Sequence, residues 1–485
     1  MSRRTSIIIA LGVALVCLGA VPAAASAHHH HKHKCKYADV VLKNGFVYTV
    51  DKCGTTAQAV AVDDGKIVYV GSTKHAKRYV GPATQVIDLA GRMVTPSFSD
   101  GHAHINMAVS FLYSVNLYGL GGVTEYQAAI KEFADAHPDF PNIRGSGWSE
   151  AMFPGIGPLK EDIDAVVSDK PVVLRSDGYH AVWVNSAALA AAGIDNTTPD
   201  PENGVIERVP GSDVTSPPYG EPSGCLRETA MYLMDPIIGD YTVDQYKDGL
   251  LYFQQEFAGP LGVTLFHDPM LDVGSNAIAA YEELASTGQL TMRVRASLSL
   301  VPEKPLCDQL KAAVGERAKH TTEFFQTRSV KTFSDGVIEG HTGYLLEDYA
   351  DRPGFRGEPI WQPDALNAAF AKADRLGFQL HNHSIGDAAV RETVDALAYT
   401  QRKNGCRDRR AGITHLQLAA PSDIERMGDL RVSAYPQPYW FLMDDYYWNL
   451  QLPFLGLPRA DLEYPMKSFF DAGSNVASAS DFPVT

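Results

Sequence analysis

Between residues 38 and 95 apolar and polar residues alternate over short runs. Segments 39–42 and 47–50 flank Asn44-Gly45, and segments 59–62 and 67–70 flank Asp63-Asp64-Gly65-Lys66. A period of two broken by Asn-Gly or Asp-Gly predicts hairpins, because those residues accept the positive φ that a tight turn requires. A fifth strand is expected at 85–88. Alternating strands with little helical signal predict a small β-sandwich-like module over residues 38–91.

From residue 92 the pattern changes. Eight apolar runs stand out, at 92–98, 262–267, 291–299, 329–334, 377–383, 411–416, 431–437 and 474–480. Between most of them lie amphipathic stretches of helical period, such as 365–376 and 388–400. Near-continuous apolar strands separated by helices predict a parallel sheet, and eight such units predict closure. The expected fold class is therefore α/β, a TIM-like (β/α)8 barrel over 92–485 beside the N-terminal β-sandwich module. Segment 107–260 is far too long for a single βα connection, so a large inserted cap subdomain is expected there. Its own strand at 171–175 and helix at 185–192 support that. No repeat of 20–50 residues runs along the chain.

Hydrophobic residues make up 45% and charged residues 20% of the 485, a globular composition that excludes a disordered chain. Arg3 and Arg4 precede the apolar run 7–21 and the small-residue stretch 23–27, the layout of a secretory signal with an A-x-A cleavage site. Residues 1–27 are expected to be removed as a signal peptide, leaving a secreted or periplasmic protein. The run is too short to span a bilayer comfortably, and Cys17 is not preceded by the small residues of a lipoprotein signal, so no stable membrane anchor is expected. The net charge of −15 becomes −17 once the two arginines leave. Such an acidic surface disfavours nucleic acid and anionic membranes as partners. Residues 28–37, rich in His and Lys, read as a flexible tail with incidental metal affinity. Five cysteines follow the signal, an odd count that precludes complete pairing within the chain; Cys35 and Cys53 flank the first hairpin and are expected to lie within bridging reach.

The first chemical signal is Asp100-Gly101-His102-Ala103-His104. Two histidines at i and i+2 on an extended strand project to the same side and can meet one ion. By itself this spacing is a weak signal, because it occurs by chance and fits hydrogen-bonded core histidines better. The weight comes from the other strand ends, where Lys331, His381, His383, His415 and Asp481 stand. The C-terminal rim of such a barrel gathers its polar side chains at one point, and histidines, an aspartate and a buried lysine are costly there without a shared divalent ion. His381, alternating with His383, is expected to face away from the site. His267, ending the second run, is assigned to support or packing.

Longer phrases carry a family resemblance. They include Gly145-Ser146-Gly147-Trp148, Asp177-Gly178-Tyr179-His180 with Val184-Asn185-Ser186, and Gly262-Val263-Thr264. Further along come Lys331 with Ser334-Asp335-Gly336, His383 with Ile385-Gly386-Asp387, and Ser480-Asp481-Phe482-Pro483. Together they resemble the amidohydrolase superfamily, and within it the YtcJ-like branch, amidohydrolase family 3, from about residue 38 to the end. The resemblance implies that His102, His104 and Asp481 bind one metal and that His383 and His415 bind a second. It implies that Lys331 is N-carboxylated and that its carbamate bridges the two ions, with a salt bridge to Asp335 as the alternative use of that lysine. A desolvated lysine loses its proton more readily and can then capture carbon dioxide. Zinc suits the histidine-rich set, with iron, manganese and nickel as alternatives. A metal-bound hydroxide would attack the substrate carbonyl, with Asp481 as general base and then acid.

The implied activity is hydrolysis of carbon–nitrogen bonds other than peptide bonds, in N-acyl or N-formyl amines. Trp148, His180, Tyr439 and Trp440 are the candidate substrate-binding residues, an aromatic lining that favours an apolar or planar small molecule. Two features depart from the family pattern. His341-Thr342-Gly343-Tyr344 stands where Thr-Ala is usual, and the chain ends at Thr485, four residues after Asp481. The expectation that follows is a barrel without its final helix and a β module without its closing strands, whose exposed edges would favour a homodimer. It also motivates rival readings: an inactive truncated secreted paralogue that only binds metal or a small molecule, and an esterase or lactonase using the same site.

Overall fold

The computed structural model describes residues 37–153, 155–202, 204–210 and 216–484. The expected signal peptide, all but the last residue of the His-rich tract, and Cys35 with its expected bridge lie outside them. The chain divides into two compact units, up to Phe98 and from Ser99 onward.

The first unit contains a four-stranded sheet and a three-stranded sheet. In the larger, strands Lys66–Gly71, Ala59–Asp63, Val40–Lys43 and Gln85–Asp88 lie in that order. The hairpin between Ala59–Asp63 and Lys66–Gly71 is as expected, closed by the Asp63–Lys66 pair with Asp64 and Gly65 both at positive φ. The one expected at Asn44-Gly45 does not form. Val40–Lys43 pairs with Ala59–Asp63 and Gln85–Asp88, whereas Phe46–Tyr48 joins the other sheet, between Thr56–Ala57 and Met93–Val94. The turn instead carries the chain from one sheet to the next. Asn44 is held by Thr73 Oγ1 on its backbone N–H (2.9 Å) and by Asp88 on its side chain (2.8 Å), partners that a local turn propensity cannot foresee.

The second unit is built on an eight-stranded sheet: β1 (Phe98–Asp100), β2 (Val263–Leu271), β3 (Arg293–Ser299), β4 (Phe325–Phe333), β5 (Gln379–Ser384), β6 (Gly412–His415), β7 (Ser433–Tyr435) and β8 (Asn475–Val476). Their spatial order is their chain order, and from β2 to β8 each neighbouring pair is parallel. This is a curled parallel α/β sheet of the TIM-like kind. The first expected run, 92–98, is split: Met93–Val94 belongs to the small sheet, and β1 begins only at Phe98. Helices α1 (Asn276–Ser286), α2 (Leu306–Lys319), α3 (Pro363–Arg375), α4 (Asp387–Asn404), α5 (Pro421–Leu430) and α6 (Met466–Asp471) alternate with the strands. Helix α3 buries Leu366, Ala369, Phe370 and Ala373, a spacing of three and four that turns one stripe towards the sheet. Among the described residues no helix is long and apolar enough to cross a membrane.

Backbone hydrogen bonds bring the two ends of this sheet together. Gly101 N donates to Ser478 O (3.1 Å), Asp481 N to His102 O (2.8 Å) and His104 N to Phe482 O (2.8 Å). Asp100 Oδ1 accepts from both His102 N (3.0 Å) and Ser480 N (3.1 Å). Phe482 anchors the seam by packing among Phe111, Phe253 and Phe257, with ring centroids 4.8–5.5 Å away.

Between β1 and β2 lies a second, six-stranded sheet, in the order Gly204–Arg208, Pro222–Glu228, Ala181–Val184, Val172–Ser176, Ile143–Trp148 and Val115–Asn116. Asn185 is buried here with its side chain fully engaged. Its Oδ1 accepts from Val172 N and Ala188 N, and its Nδ2 donates to Val167 O and Lys170 O. The Val184-Asn185-Ser186 phrase is thus a helix cap that also ties down a strand.

The packing between helices and barrel sets a test of stability. Phe325 on β4 is buried and stacks on Tyr281 of α1 (centroids 4.8 Å, planes 13° apart). Phe325→Ala is expected to lower unfolding stability by roughly 3–5 kcal/mol, as for a large aromatic removed from a close-packed core, read by urea denaturation.

Candidate metal centre

Alternation along a strand sends every second side chain to the same face. On β4 this places Val330 in the core shared with the helices and turns Lys331 to the opposite face. On β5 Leu380 and Asn382 face the helices, and Asn382 donates to Thr393 Oγ1 of α4 (2.8 Å). His381 and His383 therefore both face inward. The expectation that His381 turns away is corrected by the same i, i+2 rule that pairs His102 with His104. Its Nε2 lies 2.7 Å from His102 Nδ1 and its ring is wholly buried.

The seam of the sheet sets His102 and Asp481 side by side. His102 Nε2 is 3.2 Å and His104 Nε2 is 3.4 Å from Asp481 Oδ1. One donor atom each from His102, His415 and Asp481 lie within 4.8 Å of one another, all three residues buried. Both His415 (φ 74°) and Asp481 (φ 58°) adopt the left-handed backbone region, which non-glycine residues enter chiefly where surrounding contacts hold them.

The neighbouring imidazoles are oriented from behind. His415 Nδ1–H donates to Gln437 Oε1 (3.0 Å), whose amide is pinned by Thr414 Oγ1 and Tyr435 O, so the lone pair of His415 is on Nε2. His383 stands against His415, with centroids 4.5 Å apart. Its Nε2–H donates to Gly336 O (2.9 Å), which leaves Nδ1 as the free donor atom. Asp335 holds the loop that supplies this carbonyl: its carboxylate accepts from the backbone N–H groups of Tyr344, Ile385 and Gly386 at 2.8–2.9 Å. Burial pushes the Asp335 carboxyl up to about 7, against those three donors. Asp335 is therefore engaged with backbone and not with Lys331, which removes the salt-bridge alternative.

Lys331 is buried, and its Nζ has no hydrogen-bond partner. Loss of water pushes its ammonium down to about 7, with the Asp481 charge opposing part of that shift. Burial would raise Asp481, but the imidazoles of His102 and His104 against its oxygen outweigh burial and hold it well below the carboxylate range. Burial, with the nearby Lys331 charge, keeps His102 neutral, its pKa well below the usual value. For His383 burial and then the His415 ring do the same. His415 is lowered to about 4, mainly by burial. Neutral imidazoles, an ionised carboxylate and a neutral-leaning amine are the protonation states that a divalent ion requires.

A fit test rests on atoms left without partners. His102 Nε2, Lys331 Nζ and Asp481 Oδ1 are buried in this one place without hydrogen-bonding geometry to anything described. Unsatisfied buried polar atoms are rare and costly. A cation shared among imidazole nitrogens and a carboxylate satisfies them, and the donor set suits zinc or a similar metal. Asp268 adds a second buried carboxylate beside His104. Burial pushes it up to about 6, the His104 charge opposing, and Tyr281 donates to it at 2.7 Å.

The candidate substrate residues separate. Trp440 lies flat against His415, with centroids 5.3 Å apart and planes 9° apart, and so borders the centre. Tyr439 is 70% exposed and points to solvent. Trp148 is corrected: it is wholly buried among Phe153 and Trp183, and its Nε1 donates to Leu174 O, so it is a core residue of the six-stranded sheet. His180 pairs with Glu228 (3.1 Å); burial opposes its charge but Glu228 prevails and raises its pKa. Gln437, Asp268 and His381 are the supporting residues that the linear reading missed. Of these only His381 had a signal, its spacing from His383.

Comparisons with known proteins show what the chain resembles. Residues 85–485 match the model of a family described as the amidohydrolase family. The chain is 30% identical over 461 residues to the protein LONG AFTER FAR-RED 3 of Arabidopsis thaliana, covering 92% of this chain and 76% of that one. It is 30% identical over 445 residues to the putative amidohydrolase YtcJ of Bacillus subtilis, covering 91% and 80%. It is 25% identical over 453 residues to the N-substituted formamide deformylase of Arthrobacter pascens, covering 92% and 81%. Among solved structures, an uncharacterized metal-dependent hydrolase from Pyrococcus furiosus superposes with a TM-score of 0.70 at 26% identity, covering 92% of this chain and 86% of that one.

The anchoring of the Gly336 loop can be tested by substitution. Asp335→Ala leaves three buried N–H groups unpaired, each worth roughly 1–3 kcal/mol. A fall of several degrees in Tm is expected from thermal melts, and an unchanged Tm contradicts the role given to this carboxylate.

Proposed function

We propose, for a chain that belongs to the amidohydrolase family and is a hydrolase of carbon–nitrogen bonds, that its substrates are small N-acyl or N-formyl amines. The observation that carries this reading is the meeting of His102, His415 and Asp481, near a buried Lys331 whose Nζ has no hydrogen-bond partner among the described residues. The formyl group is favoured by the similarity to the N-substituted formamide deformylase, which spans most of both chains. Trp440 against His415 offers a flat apolar wall to the amine portion of the substrate.

His102, His104 and Asp481 would hold one divalent ion, and His383 through Nδ1 and His415 through Nε2 a second; zinc is the ion proposed. When bound, such an ion supplies Lewis acidity that polarises a carbonyl oxygen and acidifies a water. Asp481, kept ionised by the histidines around it, takes the proton of the attacking water and delivers it to the departing nitrogen. Lys331, its ammonium pushed down to about 7 by burial, has a substantial neutral-amine fraction to capture carbon dioxide. Its nitrogen bonds to the carbon, one C=O electron pair moves to oxygen, and one amine proton leaves to solvent. The carbamate so formed would offer anionic oxygens to the ions that the histidines and Asp481 would hold. Export is part of the same proposal, supported by the arginine pair, apolar run and Ala-rich stretch of residues 1–27. So is a small-molecule partner, in place of nucleic acid or a membrane surface, supported by the charge of −15.

Three outcomes check this reading. Dialysis against dipicolinate should abolish formate release from N-substituted formamides, and zinc should restore it; activity that survives complete metal removal rules the proposal out. Asp481→Asn should lower kcat by about 10²–10⁴-fold while the far-ultraviolet circular dichroism is unchanged. Metal uptake by the stripped protein should rise with added bicarbonate in the wild type and not in Lys331→Met. Equal uptake with and without bicarbonate argues against the carbamate.

A further inference from the structure

The inward face of β5 carries two histidines, and the reading above uses only one of them. His381 lies deeper in the barrel than His383, wholly buried, with His102 on one side (centroids 5.0 Å apart) and His267 on the other (4.3 Å, edge to face). Its Nε2 is 2.7 Å from His102 Nδ1. Among the described residues the His102 ring makes no further contact of hydrogen-bonding geometry, its Nε2 facing Asp481 Oδ1 at 3.2 Å, and His381 Nδ1 has no hydrogen-bond partner. His267 is turned elsewhere, with its Nε2 2.7 Å from Ser297 Oγ, itself bonded to Ser329 Oγ.

We propose that His381 is a positioning residue that sets the tautomer of His102 and thereby makes its Nε2 a metal ligand. The inference rests on the metal reading of the site. A neutral imidazole has one proton and one lone pair. For His102 Nε2 to bind a cation, the proton must be on Nδ1, buried and facing His381. His381 Nε2 is the acceptor there, with its own proton on Nδ1. In the metal-free chain the opposite frame is available: His102 keeps its proton on Nε2 beside Asp481, and His381 Nε2–H donates to His102 Nδ1. Each ring has one proton in both frames, so loading an ion shifts proton positions across the His102–His381 contact without changing net charge. Partners behind metal-bound histidines are usually carboxylates, carbonyls or waters; here an imidazole takes that place. The alternative is that His381 merely fills space beneath the site.

Two variants separate these roles. His381→Gln keeps an acceptor oxygen near the position of Nε2, and His381→Met matches its length without one. Zinc affinity of the stripped proteins, measured by competition with a chromophoric chelator, should fall by roughly 10–100-fold in His381→Met and by much less in His381→Gln. Melting of the metal-free proteins controls for folding. If His381→Met binds zinc as tightly as the wild type, or if both variants weaken it equally, the tautomer role is overturned and packing explains the residue. If the wild type takes up no ion in the same assay, the metal reading fails and this inference with it.

Discussion

The site depends on a clasp between two segments that lie about as far apart in the chain as it allows. Asp100 accepts from both His102 N and Ser480 N, the latter 380 positions away from it, and Asp481 N donates back to His102 O. Together a side-chain carboxylate and backbone carbonyls occupy N–H groups at the two edges of one sheet, and without them the edges would expose unpaired groups. The clasp also decides which side chains meet. His102 and Asp481 come together because their backbones are hydrogen-bonded across the seam, and the left-handed turn at Asp481 aims its carboxylate inward. Phe482, packed into an aromatic cluster one residue later, holds that turn by apolar burial.

From the clasp inward, the centre is built in two layers. The inner layer consists of imidazoles, one carboxylate and one amine, buried apart from the partly exposed His104, with several atoms lacking a hydrogen-bond partner among the described residues. The outer layer fixes their orientation: Gln437 behind His415, the Gly336 carbonyl behind His383, His381 behind His102. Each outer contact spends one ring nitrogen and leaves the other to face the centre. Burial does the complementary electrostatic work. It keeps the imidazoles and Lys331 towards neutrality, while the same histidines keep Asp481 charged.

The stretch between β1 and β2 folds around its own sheet and its own cores, and several phrases that invite a functional reading serve that architecture. Trp148 packs beneath Trp183, and Asn185 caps a helix and ties down a strand. Such residues are demanded by geometry: a buried indole needs an acceptor, and a buried amide needs all its groups paired. Of the four candidate substrate residues, Trp440 is the one that packs on a histidine of the centre, from a loop after β7.

Much of the barrel was legible from the chain alone, because each strand and helix advertises its period locally; seven of the eight expected runs coincide with strands of the large sheet. The metal-binding types at the strand ends were legible for the same reason, with His102, His415 and Asp481 named before any geometry was available. Local pattern was insufficient at Asn44-Gly45, where the turn joins two sheets because Thr73 and Asp88 hold it. It was insufficient again at Trp148, whose burial depends on Trp183, two strands away in the sheet, and on Phe153. What the sequence by itself determined was the set of elements and the chemistry available at their ends. Only the tertiary structure decided which nitrogen of each histidine faces the centre, which carboxylate is engaged by backbone, and that His381 stands behind His102. Those choices are made by hydrogen bonds between residues tens to hundreds of positions apart, and no periodicity along the chain encodes them.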